Sequence, residues 1–207
     1  MILIININDN LDELVINFIN SSQFYSFDLF EICNEFPAFL KKIYFKNNFE
    51  FISDLAKLEL LSAKAFHEKK YSSLKISDLS VVFNLPDKQI SLPVQASVRL
   101  IKSKWDLVKI CNFIDENIYQ IDLKSIQQQS GNYYFIVFLL EKIVKVEKIS
   151  IQEFIFISSL KKYQLFSIAC KNIEYYCNKE NIPLVQEYIP NLIFKWISKG
   201  IFLSKEG

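Results

Sequence analysis

Apolar residues recur at helical spacing along the first part of the chain. In "DNLDELVINFINSS" the residues Leu11, Leu14, Val15 and Phe18 share one side of a helix. A second helical segment runs from about Phe27 to Ile43 and breaks near "NEFPAFLKK". There Asn34 can cap a new turn, and Pro37 fits within it because the first N–H groups of a helix have no partner to lose. Asn47 precedes Glu50 by three, a capping-box spacing that opens the helix "FISDLAKLELLSAKAF" at residues 51–66. On a helical wheel Ile52, Leu55, Ala56, Ala63 and Phe66 crowd one side, and Ser53, Lys57, Lys64 and Glu68 fall on the other. Glu59 lands in the middle of the apolar side. A buried carboxylate is costly unless hydrogen-bonded, so Glu59 is expected to accept from N–H groups of the "FPAFL" turn, the rival reading being that it reaches a binding partner.

The pattern changes after Lys70. In "LPVQASVRLI" the residues Val94, Ala96, Val98 and Leu100 alternate with Gln95, Ser97 and Arg99, the period of a half-buried strand. "KWDLVKICNFIDE" returns to helical spacing. "YYFIVFLL" and "KIVKVEKI" predict two strands, the first well buried. Ser150 and Glu153 form a further capping box, helices follow at about 164–177 and 184–199, Gly200 is the stop signal, and "IFLS" reads as a short last strand. The expected class is α+β, with a helical N-terminal half followed by a mixed strand and helix C-terminal half. The expected domains are residues 1–75, helical, and residues 76–207, the α+β part that binds a peptide or partner.

Composition narrows the function. With 51% apolar and 15% aromatic residues the chain can build a real core, and with 3 Gly and 5 Pro it has no room for a glycine-rich phosphate loop. Net charge is +1, and Arg99 is the only arginine, which argues against nucleic acid as a partner. The N-terminus lacks a basic leader and reaches Asp9 early, and the most apolar stretch meets Glu141 and Lys142, too soon for a membrane-spanning helix. A cytoplasmic protein without a membrane partner is expected.

Catalytic constellations are missing from the sequence. His67 is the single histidine, no CxxC pair exists, and Cys33, Cys111, Cys170 and Cys177 read as reduced thiols, so no metal ligands or cofactor are assigned to this chain. A nucleophilic role for Cys33 or Cys177 would need a basic neighbour to lower the thiol pKa, and the sequence supplies none beside either. No HExxH, GxSxG or phosphate-loop motif occurs. Binding is the better reading. An exposed strand edge accepts an extended peptide as a further strand, whereas an internal strand does not. The candidate edge residues are Val98, Arg99, Leu100 and Ile101, and Tyr134, Ile136 and Phe138.

Two motifs carry a family resemblance. "NEFPAFLKK" followed by "FISDLAKLELLSAKAF" resembles the FPxFL motif and DLAxLE-type helix of small partner proteins (HvfC, BufC and MbnC types) that accompany multinuclear non-haem iron oxidative enzymes. The matching positions are Phe36, Pro37, Phe39 and Leu40, then Asp54, Leu55, Ala56, Leu58 and Glu59. Weaker features agree in order: Pro93 to Leu100, a hydrophobic helix, and "WISKGIF" from Trp196 to Phe202. Larger members carry more helix before FPxFL, which begins here at Phe36, so the resemblance favours the compact, methanobactin-type partner.

The resemblance implies a subunit that is not itself an enzyme. Its partners would be a barrel-fold iron enzyme, which holds the iron, and the leader of a ribosomally made precursor peptide. The precursor's cysteine is oxidatively rearranged into oxazolone/thioamide groups that bind copper. The alternative is a winged-helix-like DNA-binding regulator built from the late helices and last strand, against which the single arginine and near-zero net charge weigh.

Overall fold

The computed structural model describes residues 11–21, 28–44, 50–86, 90–116, 131–183 and 187–204. The chain is α+β, helical in its N-terminal half and mixed thereafter. Helices α1 (Leu11–Ser21), α2 (Leu29–Cys33), α3 (Phe36–Tyr44) and α4 (Phe51–His67) come first, then a 3-10 turn (Ile76–Asp78) and α5 (Leu79–Phe83). Strand β1 (Arg99–Ser103), α6 (Leu107–Glu116), β2 (Tyr133–Leu140) and β3 (Ile143–Ile149) follow, then α7 (Ile151–Tyr163), α8 (Phe166–Lys179) and α9 (Tyr188–Ser198).

The chain divides into two compact units, Met1–Lys64 with Lys102–Tyr133, and Ala65–Ile101 with Tyr134–Gly207. Each unit draws chain from both sides of residue 75, so one cut there does not separate them.

In the first unit the break before Pro37 falls where the sequence predicts it. Asp28 caps α2 by accepting from the Phe30 N–H at 2.8 Å, and Asn34, expected to cap the new turn, instead closes α2 as its C-terminal cap before α3 begins. Phe18 of α1 meets Phe36 and Phe39 of α3 at ring-centroid distances of 5.0 and 5.2 Å. The capping role expected of Asn47 lies outside the described residues.

The second unit holds a hydrophobic cluster that includes Ile136, Phe138, Phe156, Leu160, Ile173, Trp196 and Phe202. The strands form a three-stranded sheet in the order β1-β2-β3. β2 and β3 pair antiparallel from Leu140↔Ile143 to Tyr134↔Ile149 through a two-residue turn, with Glu141 and Lys142 both at positive φ. That geometry suits the twist of a tight hairpin, although Asn-Gly would adopt it more easily. Ser150 and Glu153 form the predicted capping box of α7, and Glu153 also pairs with Lys195 at 2.6 Å.

Gly200 ends α9 as predicted. Its φ is +66°, the Ile201 N–H reaches back to Trp196 O at 3.2 Å, and the Gly200 N–H reaches Ile197 O at 2.8 Å. A Cβ at this position would stand 3.0 Å from Ser73 Oγ, a second reason for glycine.

Two stretches depart from expectation. The strand expected from Pro93 begins only at Arg99, because a turn closes between Gln95 O and the Val98 N–H at 3.0 Å. The burial is inverted as well: Gln95 and Ser97 are buried, while Val94 and Ala96 are only partly so. The "IFLS" segment forms isolated bridges rather than a regular strand, Phe202 to Val94 and Leu203 to Ser73. It is held between two neighbours, with Leu74 N–H on Phe202 O at 3.0 Å and Leu203 N–H on Pro93 O at 2.8 Å.

Candidate functional site

The sheet order decides which strands can be edges. β2 lies in the middle, so Tyr134, Ile136 and Phe138 belong to a strand with neighbours on both sides and cannot offer an edge. This corrects the expectation for 133–140: a run buried on both faces marks a central strand. Phe135, Ile136, Val137 and Phe138 are all buried, and the Phe138 ring meets Trp196 edge-on at 6.1 Å. Arg99, Leu100 and Ile101 do lie on an outer strand, β1. Val98 precedes that strand and is fully buried. Its N–H is taken by Gln95 O, and its carbonyl accepts from Lys161 Nζ at 2.5 Å.

β1 and β3 therefore carry the two outer sides of the sheet. β3 alternates Val144 and Val146 with Lys145 and Glu147 and adds Lys148, a charged pattern that discourages strand addition. On β1, Arg99 and Leu100 are half-buried, Ile101 is buried and Lys102 is exposed.

The family-motif residues mostly serve the core. Pro37, Leu40, Leu55 and Leu58 are buried, and Phe36 and Phe39 stack at 6.2 Å. Glu59 is exposed, so it does not occupy the buried position expected of it. The buried line of α4 runs through Phe51, Leu55, Leu58 and Ala65, and Glu59 sits well round the helix from it. Ile52 shares Glu59's side and is buried, but only the first turn of α4 is covered there; Ala63 and Phe66 are exposed.

The link between the motifs comes from a residue that the wheel places on the polar side. Ser53 is buried and its hydroxyl donates to Pro37 O at 2.6 Å. The next residue, Asp54, accepts from Ser103 Oγ at 2.6 Å, and that oxygen in turn accepts from the Trp105 N–H at 3.0 Å. Burial raises the Asp54 pKa, while the Ser103 bond and Lys57 and Lys41 pull it back. Small polar residues next to an apolar run were the available signal for this network, and periodicity alone does not read it.

A groove of about 380 Å³ opens in the second unit between α5 and α9, with Phe166 at its wall. Leu79, Phe83, Ile189, Ile193 and Phe194 line it, and Phe83 and Phe194 are themselves exposed. Such a lining can take apolar side chains but cannot orient a ligand by hydrogen bonds.

Cys177 is poorly placed to act as a nucleophile. Cys177 is buried and burial raises its thiol pKa, which disfavours the reactive thiolate. Among the described residues, no three His, Cys, Asp or Glu side chains converge, and no helix is long and apolar enough to cross a membrane. No protein-family model matches the chain, and no curated protein matches it.

Proposed function

We propose that this chain is a non-catalytic partner subunit that holds an extended peptide for an iron-dependent oxidative enzyme. The observation that carries the binding half of this reading is the sheet: among the described residues, β1 is an outer strand with a neighbouring strand on one side only. An extended peptide can continue such a sheet, with main-chain hydrogen bonds supplying affinity and alternate side chains supplying register. β1 is preferred over β3 because β3 carries the charge alternation that guards an edge. The apolar groove between α5 and α9 gives a second surface, suited to apolar side chains of the enzyme.

The identity of the partners rests on the resemblance of the FPxFL and DLAxLE-type motifs. On that basis the enzyme is a multinuclear non-haem iron protein of barrel fold. The peptide is the leader of a precursor whose cysteine becomes an oxazolone/thioamide pair in a copper-binding product. The iron belongs to the enzyme.

Co-expression with an iron enzyme of this kind and a cysteine-containing precursor peptide tests the reading. A stable complex of the two proteins is expected. A photo-crosslinking residue at Lys102 on β1 should capture the precursor leader, and the same residue at Lys145 on β3 should not. Absence of a complex overturns the partner assignment, and capture at Lys145 alone moves the docking strand.

A further inference from the structure

The outer side of β3 is a strand edge whose charges complement themselves. β3 pairs with β2 from Leu140↔Ile143 to Tyr134↔Ile149 through a two-residue turn. In such a hairpin the residues flanking the turn exchange main-chain hydrogen bonds, and so does every second pair after them. Ile143, Lys145, Glu147 and Ile149 therefore direct their main-chain groups to β2, and Val144 and Val146, between them, direct theirs to the outer side. Among the described residues the sheet ends at β3. Along this edge Ile143 is 57% exposed, Lys145 is exposed, and Val144 and Val146 are half-buried.

Lys145 and Glu147 stand on the same face, one on each side of Val146. A foreign strand meets both signs of charge there, which guards the edge. A second copy of β3, laid antiparallel with Val146 opposite Val146, meets them in complementary order. Each Lys145 then faces the Glu147 of the other copy. Centring the pair on Lys145 would set lysine against lysine, and centring it on Glu147 would set glutamate against glutamate, so charge selects the register. Main-chain geometry agrees, because Val146 turns outward and can exchange two hydrogen bonds with its own copy. Among the described residues Lys145 has no ion-pair partner. Glu147 accepts from Lys199 through both oxygens, which leaves lone pairs for a second cation.

The covering helix leaves room for this pairing. α9 lies on the same face, with Trp196 against Phe138 of β2 and Lys199 on Glu147. In the paired sheet β2 and its copy stand three strand spacings apart, about 14 Å. Packed helices need only about 8–10 Å, so the two α9 helices clear each other.

We propose that β3 is a self-association edge: two copies of the chain join antiparallel about Val146 into one six-stranded sheet, ordered β1-β2-β3-β3-β2-β1. The pairing does not depend on peptide docking, and it leaves a β1 edge at each end of the sheet. A single strand edge is a small contact beside the ~1,200–2,000 Å² of stable interfaces, so the dimer is reversible and builds up with concentration.

Sedimentation equilibrium of the full chain, from micromolar to millimolar concentration, should show monomer and dimer in exchange. A monomer throughout overturns the proposal. Lys145→Glu sets acid against acid and Glu147→Lys sets lysine against lysine, and each alone should weaken the dimer about tenfold or more. An equimolar mixture of the two variants restores both opposite-charge pairs and should dimerise as the native chain does. Thermal unfolding checks that each variant is folded, since Glu147→Lys also loses its Lys199 partner. Where that variant does not fold, Val146→Pro takes its place: it deletes an outward N–H, spares the β2 ladder and should abolish the dimer. A dimer that survives these changes uses another surface and overturns the assignment to β3, as does a mixture of folded variants that stays monomeric.

Discussion

The first turn of α4 and the stretch from Pro93 to Val98 both bury polar side chains, and they do so for different reasons. In α4 the backbone is hydrogen-bonded within the helix, so Ser53 and Asp54 can spend their side chains on other segments, Pro37 O and Ser103 Oγ. The Pro93 to Val98 stretch lies outside any regular strand. There Gln95 takes the place of a strand: its Nε2 donates to Tyr71 O at 2.9 Å and its Oε1 accepts from the Tyr71 N–H at 3.3 Å. The same Nε2 touches Ser73 Oγ at 3.4 Å, and Ser73 donates to Gly200 O at 3.1 Å. One case ties a finished helix to its neighbour; the other supplies backbone hydrogen bonds that no ladder provides. A buried polar residue therefore marks a backbone group that needs a partner, rather than an error in the hydrophobic pattern.

Gln95→Leu is the strongest way to break this comparison. It keeps the volume but strips both groups of Tyr71 of their partner, and should lower stability by about 2–4 kcal/mol, since each such group left unmet costs about 1–3 kcal/mol. Chemical denaturation would measure it. A loss below that of the serine variant that follows would mean that water replaces the amide at Tyr71 without penalty.

Ser53→Ala should cost less, about 1–2 kcal/mol, because one carbonyl loses one donor and little volume changes. A double variant with Pro37→Ala leaves the Pro37 position's carbonyl in place, so the two effects should be close to additive if the bond is to backbone alone.

Asp54→Asn sharpens the same contrast through pH. Burial raises the Asp54 pKa above its ordinary value of 3.8, so the folded protein holds this proton more tightly than the unfolded chain does. The stabilising contribution is complete below that unfolded value and is lost as pH rises through the raised folded value. At neutral pH the ionised carboxylate is therefore a net burden. Asn can still accept from Ser103, so the variant should gain less than about 1 kcal/mol at neutral pH after solvent screening. It should also lose the part of the stability-versus-pH profile that lies just above 3.8. Unfolding midpoints across that range for both proteins would check the sign.

The smallest effect is expected at Glu59. Exposed on α4, it should tolerate Glu59→Gln within about 0.5 kcal/mol. A larger loss of thermal stability would support the carboxylate link that the sequence suggested.

Local signals were read correctly where one segment contains its own answer. The break at Pro37, the capping box of Ser150 and Glu153, the hairpin strands and the Gly200 stop each depend on residues within a few positions of one another. Misreadings occurred where the partner lies far along the chain. Alternation from Val94 to Leu100 imitates a strand, but the chain turns there to meet Tyr71 and Ile201, the latter through the Gln95 N–H at 2.8 Å. The candidate edge divided in the same way: Arg99, Leu100 and Ile101 stand on an outer strand, whereas Tyr134, Ile136 and Phe138 stand on the central one.

What the sequence determined by itself was the class and the inventory: helices first, a buried strand paired with a charged one, a single arginine and a single histidine. Those follow from period, capping and composition, which act over one or two turns of chain. Strand order, the identity of the covered side of α4 and the meeting of Val98 with Lys161 were decided only in three dimensions. A helix or strand offers more than one face that a core could cover. Which face is covered depends on segments whose distance in sequence, such as the separation of 63 positions from Val98 to Lys161, leaves no trace in local periodicity.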